Sequence, residues 1–148
     1  MKTNFLPISI NIADKKILII GGGKNALNKL KILQRFNAHV NILAIEVCKE
    51  IKERGVVFKE EPYHKKHLKG YFMVYSCINN TDTDKQIIKD GTEAGVLVNI
   101  HDKPDLCQFV SPAIYKKGNM TVAVGSNGEN VYESIRVRDE IKDFLENR

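Results

Sequence analysis

Two short stretches of the chain bring together residue types that could do chemistry. The first is Gly21-Gly22-Gly23-Lys24-Asn25-Ala26, in which Gly21-x-Gly23-x-x-Ala26 follows an apolar run and precedes a helical pattern. In that context the spacing is the G-x-G-x-x-A fingerprint of dinucleotide binding. One glycine makes the turn, the next lets backbone approach a diphosphate, and the small third residue lets helix pack on strand. A diphosphate there would meet free N–H groups and the positive end of a helix dipole. The second stretch is Asn99-Ile100-His101-Asp102-Lys103-Pro104. A carboxylate at Asp102 could accept a proton beside a bound nicotinamide; an Asp can equally start a turn before a proline. His101 could donate a proton, contact an anion, or serve as a polar loop residue.

Both stretches need elements to position them. Ile17-Leu18-Ile19-Ile20 is a β-branched apolar run bounded by charge and glycine, which reads as a strand buried on both faces. Ala26, Leu27, Leu30, Ile32, Leu33 and Phe36 then recur at the spacing of one helical face. His39 to Ala44 reads as a second strand, Glu46 to Arg54 as a short helix and Val56-Val57-Phe58 as a third strand. Phe72 to Cys77 is a fourth strand, a helix capped by Thr81 or Asp82 runs to Ala94 before Gly95, and Val96 to Asn99 is a fifth strand. Strands alternating with helices through short connections predict an α/β fold, a Rossmann-like parallel sheet with right-handed crossovers. Phe109 to Tyr115 and Met120 to Val124, joined by Lys116 to Asn119, form a β-hairpin expected at a sheet edge. Glu129 to Arg148 is a terminal helix whose stripe of Val131, Ile135, Ile141 and Leu145 needs a partner.

Ligands of such a sheet bind beyond the carboxyl ends of its strands. The segments there are Gly21 to Asn25, Ala44 to Glu46, Ile78 to Thr81 and Asn99 to Lys103. The position that usually carries the acid for an adenosine ribose is Ala44, and Glu46 follows two residues later. With no arginine beside it, the expected cofactor is NAD rather than NADP. His64 and His67 lack a cysteine or carboxylate placed to complete a metal site, so none is expected. The chain has no G-x-x-x-x-G-K-[ST] loop, no G-x-S-x-G elbow, no H-E-x-x-H helix and no tyrosine followed four residues on by lysine.

With 43% apolar residues among 148, the chain can bury a real core. The net charge of +5 favours an anionic partner. The basic residues are dispersed and form no recognition module, so a small polyanion is expected rather than nucleic acid. No apolar run could span a bilayer, and no signal-peptide pattern opens the chain. Cys48, Cys77 and Cys107 are odd in number and widely spaced, which points to a reducing compartment, the cytoplasm.

Taken together, these residues resemble the precorrin-2 dehydrogenases, the dehydrogenase domain of siroheme synthases. The resemblance rests on Leu6-Pro7-Ile8, Gly21-Gly22-Gly23 with Ala26 and Lys29, Asn99-x-x-Asp102-x-Pro104, Phe109-x-x-Pro112-Ala113 and Val122-Ala123-Val124-x-Ser126-x-Gly128. It spans residues 5 to 140, and the Asn99 to Ala113 cluster is its specific part. It implies NAD-dependent oxidation of precorrin-2 to sirohydrochlorin, a step towards siroheme and cobalamin, with Asp102 as the catalytic aspartate. Gly21, Gly22, Gly23, Lys24, Asn25, Ile45, Glu46 and Asn79 fall on its cofactor segments, and His101 and Ser126 on its substrate side. It also implies a homodimer, with residues 1–115 as the NAD-binding domain and 116–148 as the start of a dimerisation region. Asn79-Asn80 stands where many members have Thr-Asp, and Gly128-Glu129-Asn130-Val131 where they have Gly-x-Ser-Pro. Relatives also continue beyond the position of Arg148; a shortened member with a reduced dimer interface is the expectation. Iron insertion, carried out by some relatives, is left open. The rivals are a nucleotide-sensing module, which would usually carry an acid at the position of Ala44 and would not need the Asn99 to Ala113 cluster, and a member that binds tetrapyrrole without oxidising it.

Overall fold

The computed structural model describes residues 3–148. Its first strand, β1 (Lys16–Ile20), has four consecutive residues almost without exposure, as a strand covered on both faces requires. It is the middle of a five-stranded parallel sheet ordered β3-β2-β1-β4-β5, with β2 at His39–Ala44, β3 at Val57–Glu60, β4 at Met73–Ser76 and β5 at Leu97–Ile100. Side chains alternate between the two faces. On one, Leu18, Ile20, Leu43, Val74, Val98 and Ile100 pack with Leu68 and with Ile87 of α3 (Thr81–Ala94). Helix α1 (Lys24–Gln34) lies on β1 and β2 and buries Ala26, Leu30 and Leu33. The expected Rossmann-like order of elements is present.

Two local expectations are corrected. The helix after β2 is only α2 (Lys49–Lys52), because residues 45–48 are used as a loop against the glycine turn. Asn80, rather than Thr81 or Asp82, caps α3, its Oδ1 accepting from the Thr83 N–H at 3.1 Å. Between β3 and β4 the chain makes a 3-10 turn, Lys65–Leu68, in which the rings of His64 and His67 cap backbone N–H groups: Lys66 N–H donates to His64 Nδ1 at 3.0 Å and His64 N–H to His67 Nδ1 at 2.9 Å. His67 Nε2 also meets Glu61. Where a full helix would cover β2 and β3, this turn leaves a concavity of about 490 Å³ lined by Asn41, Lys59, Lys66 and Tyr71.

The chain divides into two units, Ile10–Gln108 with the parallel sheet, and Phe109–Arg148 with the segment up to Ser9. A boundary after residue 115 would cut through β6 (Ala113–Lys117), which pairs with β7 (Met120–Val124) through a two-residue turn with Gly118 at φ +60°. This hairpin is a separate two-stranded sheet rather than an addition to the parallel one. The outer edge of β5 is already taken. Val98 N–H donates to Gln108 Oε1 (2.8 Å), Gln108 N–H to the Val98 carbonyl (3.1 Å), and Ile100 N–H to Cys107 Sγ (3.1 Å). Helix α4 (Val131–Glu146) packs on β6 and β7 and turns Ser134, Val137, Arg138, Ile141 and Leu145 to its less exposed side. Val131 and Ile135, expected in that stripe, are exposed instead. No helix among the described residues is long and apolar enough to cross a membrane.

Gly91 lies where α3 meets β5, and a Cβ there would be 2.4 Å from Val98 Cγ2. Alanine usually stabilises a helix interior by about 1 kcal/mol over glycine, but overpacking costs typically ~1–3 kcal/mol. Gly91→Ala is therefore expected to lower stability, by about 1 kcal/mol, in urea denaturation. A variant as stable as the parent would show that this contact has room to give.

Candidate functional site

The three glycines differ in what each makes possible. Gly21 leaves β1 at φ +138°, and a Cβ on it would sit 3.0 Å from the Cys77 carbonyl oxygen. Gly22 lies under the loop that follows β2: a Cβ would come 2.0 Å from the Glu46 carbonyl oxygen, while the Gly22 carbonyl accepts from the Cys48 N–H at 2.8 Å. Gly23 caps α1 with no side chain to satisfy the first turn, and its Cβ direction is open space for 4 Å. The first turn carries no acidic residue. Lys24 and Asn25, both exposed, therefore open the helix at its positive end with no side-chain cap, which is where an anion is favoured.

The sheet's register continues one residue past the strands. Leu43, Ile20, Ser76 and Ile100 are in line across β2, β1, β4 and β5. The next rung is made by Gly21 N–H to the Leu43 carbonyl (2.8 Å), Cys77 N–H to the Ile20 carbonyl (2.7 Å) and His101 N–H to the Ser76 carbonyl (2.9 Å). Strand order reverses between β1 and β4, so the glycine turn and the Cys77–Asn80 segment flank the switch-point crevice. Asp102 follows His101 directly, two strand spacings or roughly 10 Å across the sheet from the glycine turn. It stands at φ +59° with its side chain 83% exposed, its Oδ2 3.6 Å from His101 Nε2.

A buried polar cluster below Asp102 escapes a reading of the sequence. Asp84, 1% exposed, accepts from Ser76 Oγ at 2.7 Å and from Lys103 Nζ at 3.1 Å. Thr81 Oγ1 is 3.5 Å from the same ammonium. The available signal is Asp84 itself, a charge at an α3 register shared with buried Ile87 and Gly91. Nearby, burial pushes the Cys77 thiol up to about 11, which favours its protonated form at neutral pH. Burial likewise lowers the pKa of Lys29, whose ammonium lies 4.8 Å from the Tyr75 ring centroid. On the far side of the turn, Glu60 accepts from the Val47 N–H at 3.0 Å, and this bond holds its carboxyl below the usual range.

The residues singled out in the sequence separate into two groups. Gly21, Gly22, Gly23, Ile45, Glu46, Asn79, His101 and Asp102 lie on loops at the carboxyl edge of the parallel sheet, and Lys24 and Asn25 open α1 at the same edge. Ile45 is 77% exposed, and Asn79 is exposed at φ +54°. Ser126 belongs to the other unit, where its Oγ accepts from the Asn130 N–H at 2.9 Å ahead of α4.

The chain is similar to known proteins in sequence and in fold. The siroheme synthase of Buchnera aphidicola subsp. Acyrthosiphon pisum is 34% identical over 98% of this chain and 32% of its own length. That of Ruthia magnifica subsp. Calyptogena magnifica is 29% identical over 96% of this chain and 31% of its own. The chain thus spans about a third of the length of these curated relatives. The solved structure of SirC, a precorrin-2 dehydrogenase, superposes with a TM-score of 0.80 at 18% identity, covering 95% of this chain and 71% of that one, and shares its fold. Residues 8–113 match the family model described as "Putative NAD(P)-binding". The open glycine turn and the residues that build it lie within that span, and the chain belongs to this NAD(P)-binding family.

Proposed function

We propose that the chain oxidises precorrin-2 to sirohydrochlorin with NAD, Asp102 accepting the proton. The observation that carries this reading is the shared edge of the sheet: an uncapped helix N-terminus beside Gly23 and an exposed carboxylate on the loop after β5, with β4 between their strands. The relatives called siroheme synthase and the fold shared with SirC support the substrate.

The residues present fit a dinucleotide. The first-turn N–H groups of α1 would hold its diphosphate, with Gly23 giving the clearance. Glu46, exposed after β2, would accept from ribose hydroxyls and would repel a 2′-phosphate, which favours NAD over NADP. Bound nicotinamide supplies a two-electron acceptor. Asp102 takes the proton left when hydride departs from the substrate, and His101 stands beside it as an anion contact. The net charge of +5 attracts a polycarboxylate tetrapyrrole. Ser126 is read as a substrate contact. In the unit formed by residues 109–148 with the segment up to Ser9, exposed Leu6, Ile8, Val131, Tyr132 and Phe144 are read as a surface for a second copy; sedimentation equilibrium giving a monomer mass would remove that part. The odd number and wide spacing of the three cysteines favour a reducing compartment, the cytoplasm.

Anaerobic incubation with precorrin-2 and NAD should produce NADH and the sirohydrochlorin absorbance together. Nucleotide binding without either product would support a sensor instead. Asp102→Asn is expected to keep NAD affinity within twofold and to lower turnover at least ~100-fold, the low end of general-base assistance; unchanged turnover removes Asp102 from the mechanism.

The glycines make a paired prediction. Gly23→Ala should leave the melting temperature nearly unchanged, as surface changes usually do within about 0.5 kcal/mol, yet weaken NAD binding by roughly tenfold or more, a loss of about 1.4 kcal/mol. Gly22→Ala should lower the melting temperature itself, because its Cβ meets the Glu46 carbonyl. Equal NAD affinity in Gly23→Ala and the parent, measured by calorimetry, would move the diphosphate elsewhere.

A further inference from the structure

We propose that Lys103 is a positioning residue for Asp102, acting through its buried contact with Asp84 and Ser76. The inference rests on the reading of Asp102 as proton acceptor. The Asp102 carboxylate is open to solvent, so its placement is decided by its backbone. That backbone is left-handed at φ +59°, a conformation a non-glycine residue keeps only where its surroundings impose it.

The surroundings are identifiable. Ahead of Asp102, the His101 N–H is bound to the Ser76 carbonyl at 2.9 Å. Behind it, Lys103 closes the turn by donating its N–H to the Ile100 carbonyl at 3.2 Å, and it sends its ammonium inward to Asp84 at 3.1 Å. Asp84 is held in turn by Ser76 Oγ at 2.7 Å. Both flanks of Asp102 therefore end on one residue, Ser76, through its carbonyl on one side and its hydroxyl on the other. The Lys103 carbonyl also accepts from Cys107 Sγ at 3.2 Å, which ties the turn to the segment along β5.

This is no surface ion pair. Asp84 is 1% exposed and the Lys103 side chain 26%, so solvent screens the contact little. Well-packed apolar residues at both positions would serve stability at least as well as a buried charge pair does. What an apolar pair would not do is fix the turn in one register, since hydrophobic contact is non-directional while the ammonium has a single carboxylate to reach. Misplacing a reacting group by about 1 Å can cost ~100-fold in rate.

The test compares Lys103→Met, Lys103→Arg, Asp102→Asn and the double variant Asp102→Asn/Lys103→Met in the full chain, with kcat, KM for the tetrapyrrole and NAD affinity as readouts. Lys103→Met should lower kcat about tenfold or more and leave NAD affinity within twofold, and Lys103→Arg should recover most of the loss. In the Asp102→Asn background, Lys103→Met should cost nothing further in kcat, because the residue it positions is already gone. If Lys103→Met fails to fold with Asp84 left uncompensated, Asp84→Asn/Lys103→Met, which removes both charges, carries the same expectations. A kcat within twofold of the parent, or an equal loss with and without Asp102, overturns the inference. Full turnover in Asp102→Asn alone would instead overturn the reading of Asp102, and this inference with it.

Discussion

The candidate site depends on three backbone hydrogen bonds that carry the sheet's register past the ends of its strands. Each is worth only about 1 kcal/mol net, yet Gly21–Leu43, Cys77–Ile20 and His101–Ser76 together align the loops after β1, β4 and β5 on one rung. Loops that leave a parallel sheet independently would diverge with the twist of the strands. Here they remain neighbours for one residue more, and the groups that could bind and react come directly afterwards. Gly21 is the condition for this. At φ +138°, with Cys77 backbone and side chain against its Cβ direction, no other residue lets β1 end on that rung.

A glycine triplet is easily read as one feature, but its members answer to different neighbours. Gly21 and Gly22 are demanded by the protein's own backbone, at Cys77 and at Glu46. Gly23 is demanded by nothing in the described structure. A folding requirement explains the first two and leaves the third unexplained, and an unexplained glycine at an uncapped helix start is what a ligand's clearance requires. The loop across Gly22 is secured independently, by Cys48 N–H to Gly22 and by Glu60 on the Val47 N–H. The crevice wall on that side thus stands without help from a ligand.

Much of the fold was legible because its signals are local. The β-branched run of β1, the G-x-G-x-x-A spacing, the helical period of α1 and the Gly95 stop of α3, at φ +70°, each act within a few residues, and each stands in the structure. The errors have tertiary causes. The hairpin was expected at the sheet edge, but Gln108 and Cys107 occupy that edge, and nothing in their own sequence says that they fold back along β5. The helix expected from Glu46 lost its first residues to the contact with Gly22. Val131 and Ile135 look like core residues until Ser134, small enough to lie close, takes the buried side of α4. In the site, the loop residues were legible from their order along the strands, whereas nothing local marks a role for Lys103, because its partner is an α3 aspartate nineteen positions earlier.

That aspartate anchors one end of the loop bearing Asp102. Removing one partner from a buried charge pair typically costs ~3–5 kcal/mol, so the anchor at Lys103 is hard to release once Asp84 is enclosed by Ser76 and α3. The other end of the loop is held differently, by Cys107 and Gln108 bonded to the free edge of β5. An ion pair below and edge hydrogen bonds beside it fix the backbone from His101 to Gln108 without touching the Asp102 carboxylate, which remains 83% exposed. A fixed backbone with an open carboxylate suits proton transfer from a large ligand, because the positional precision belongs to the scaffold and the side chain stays free to meet the substrate.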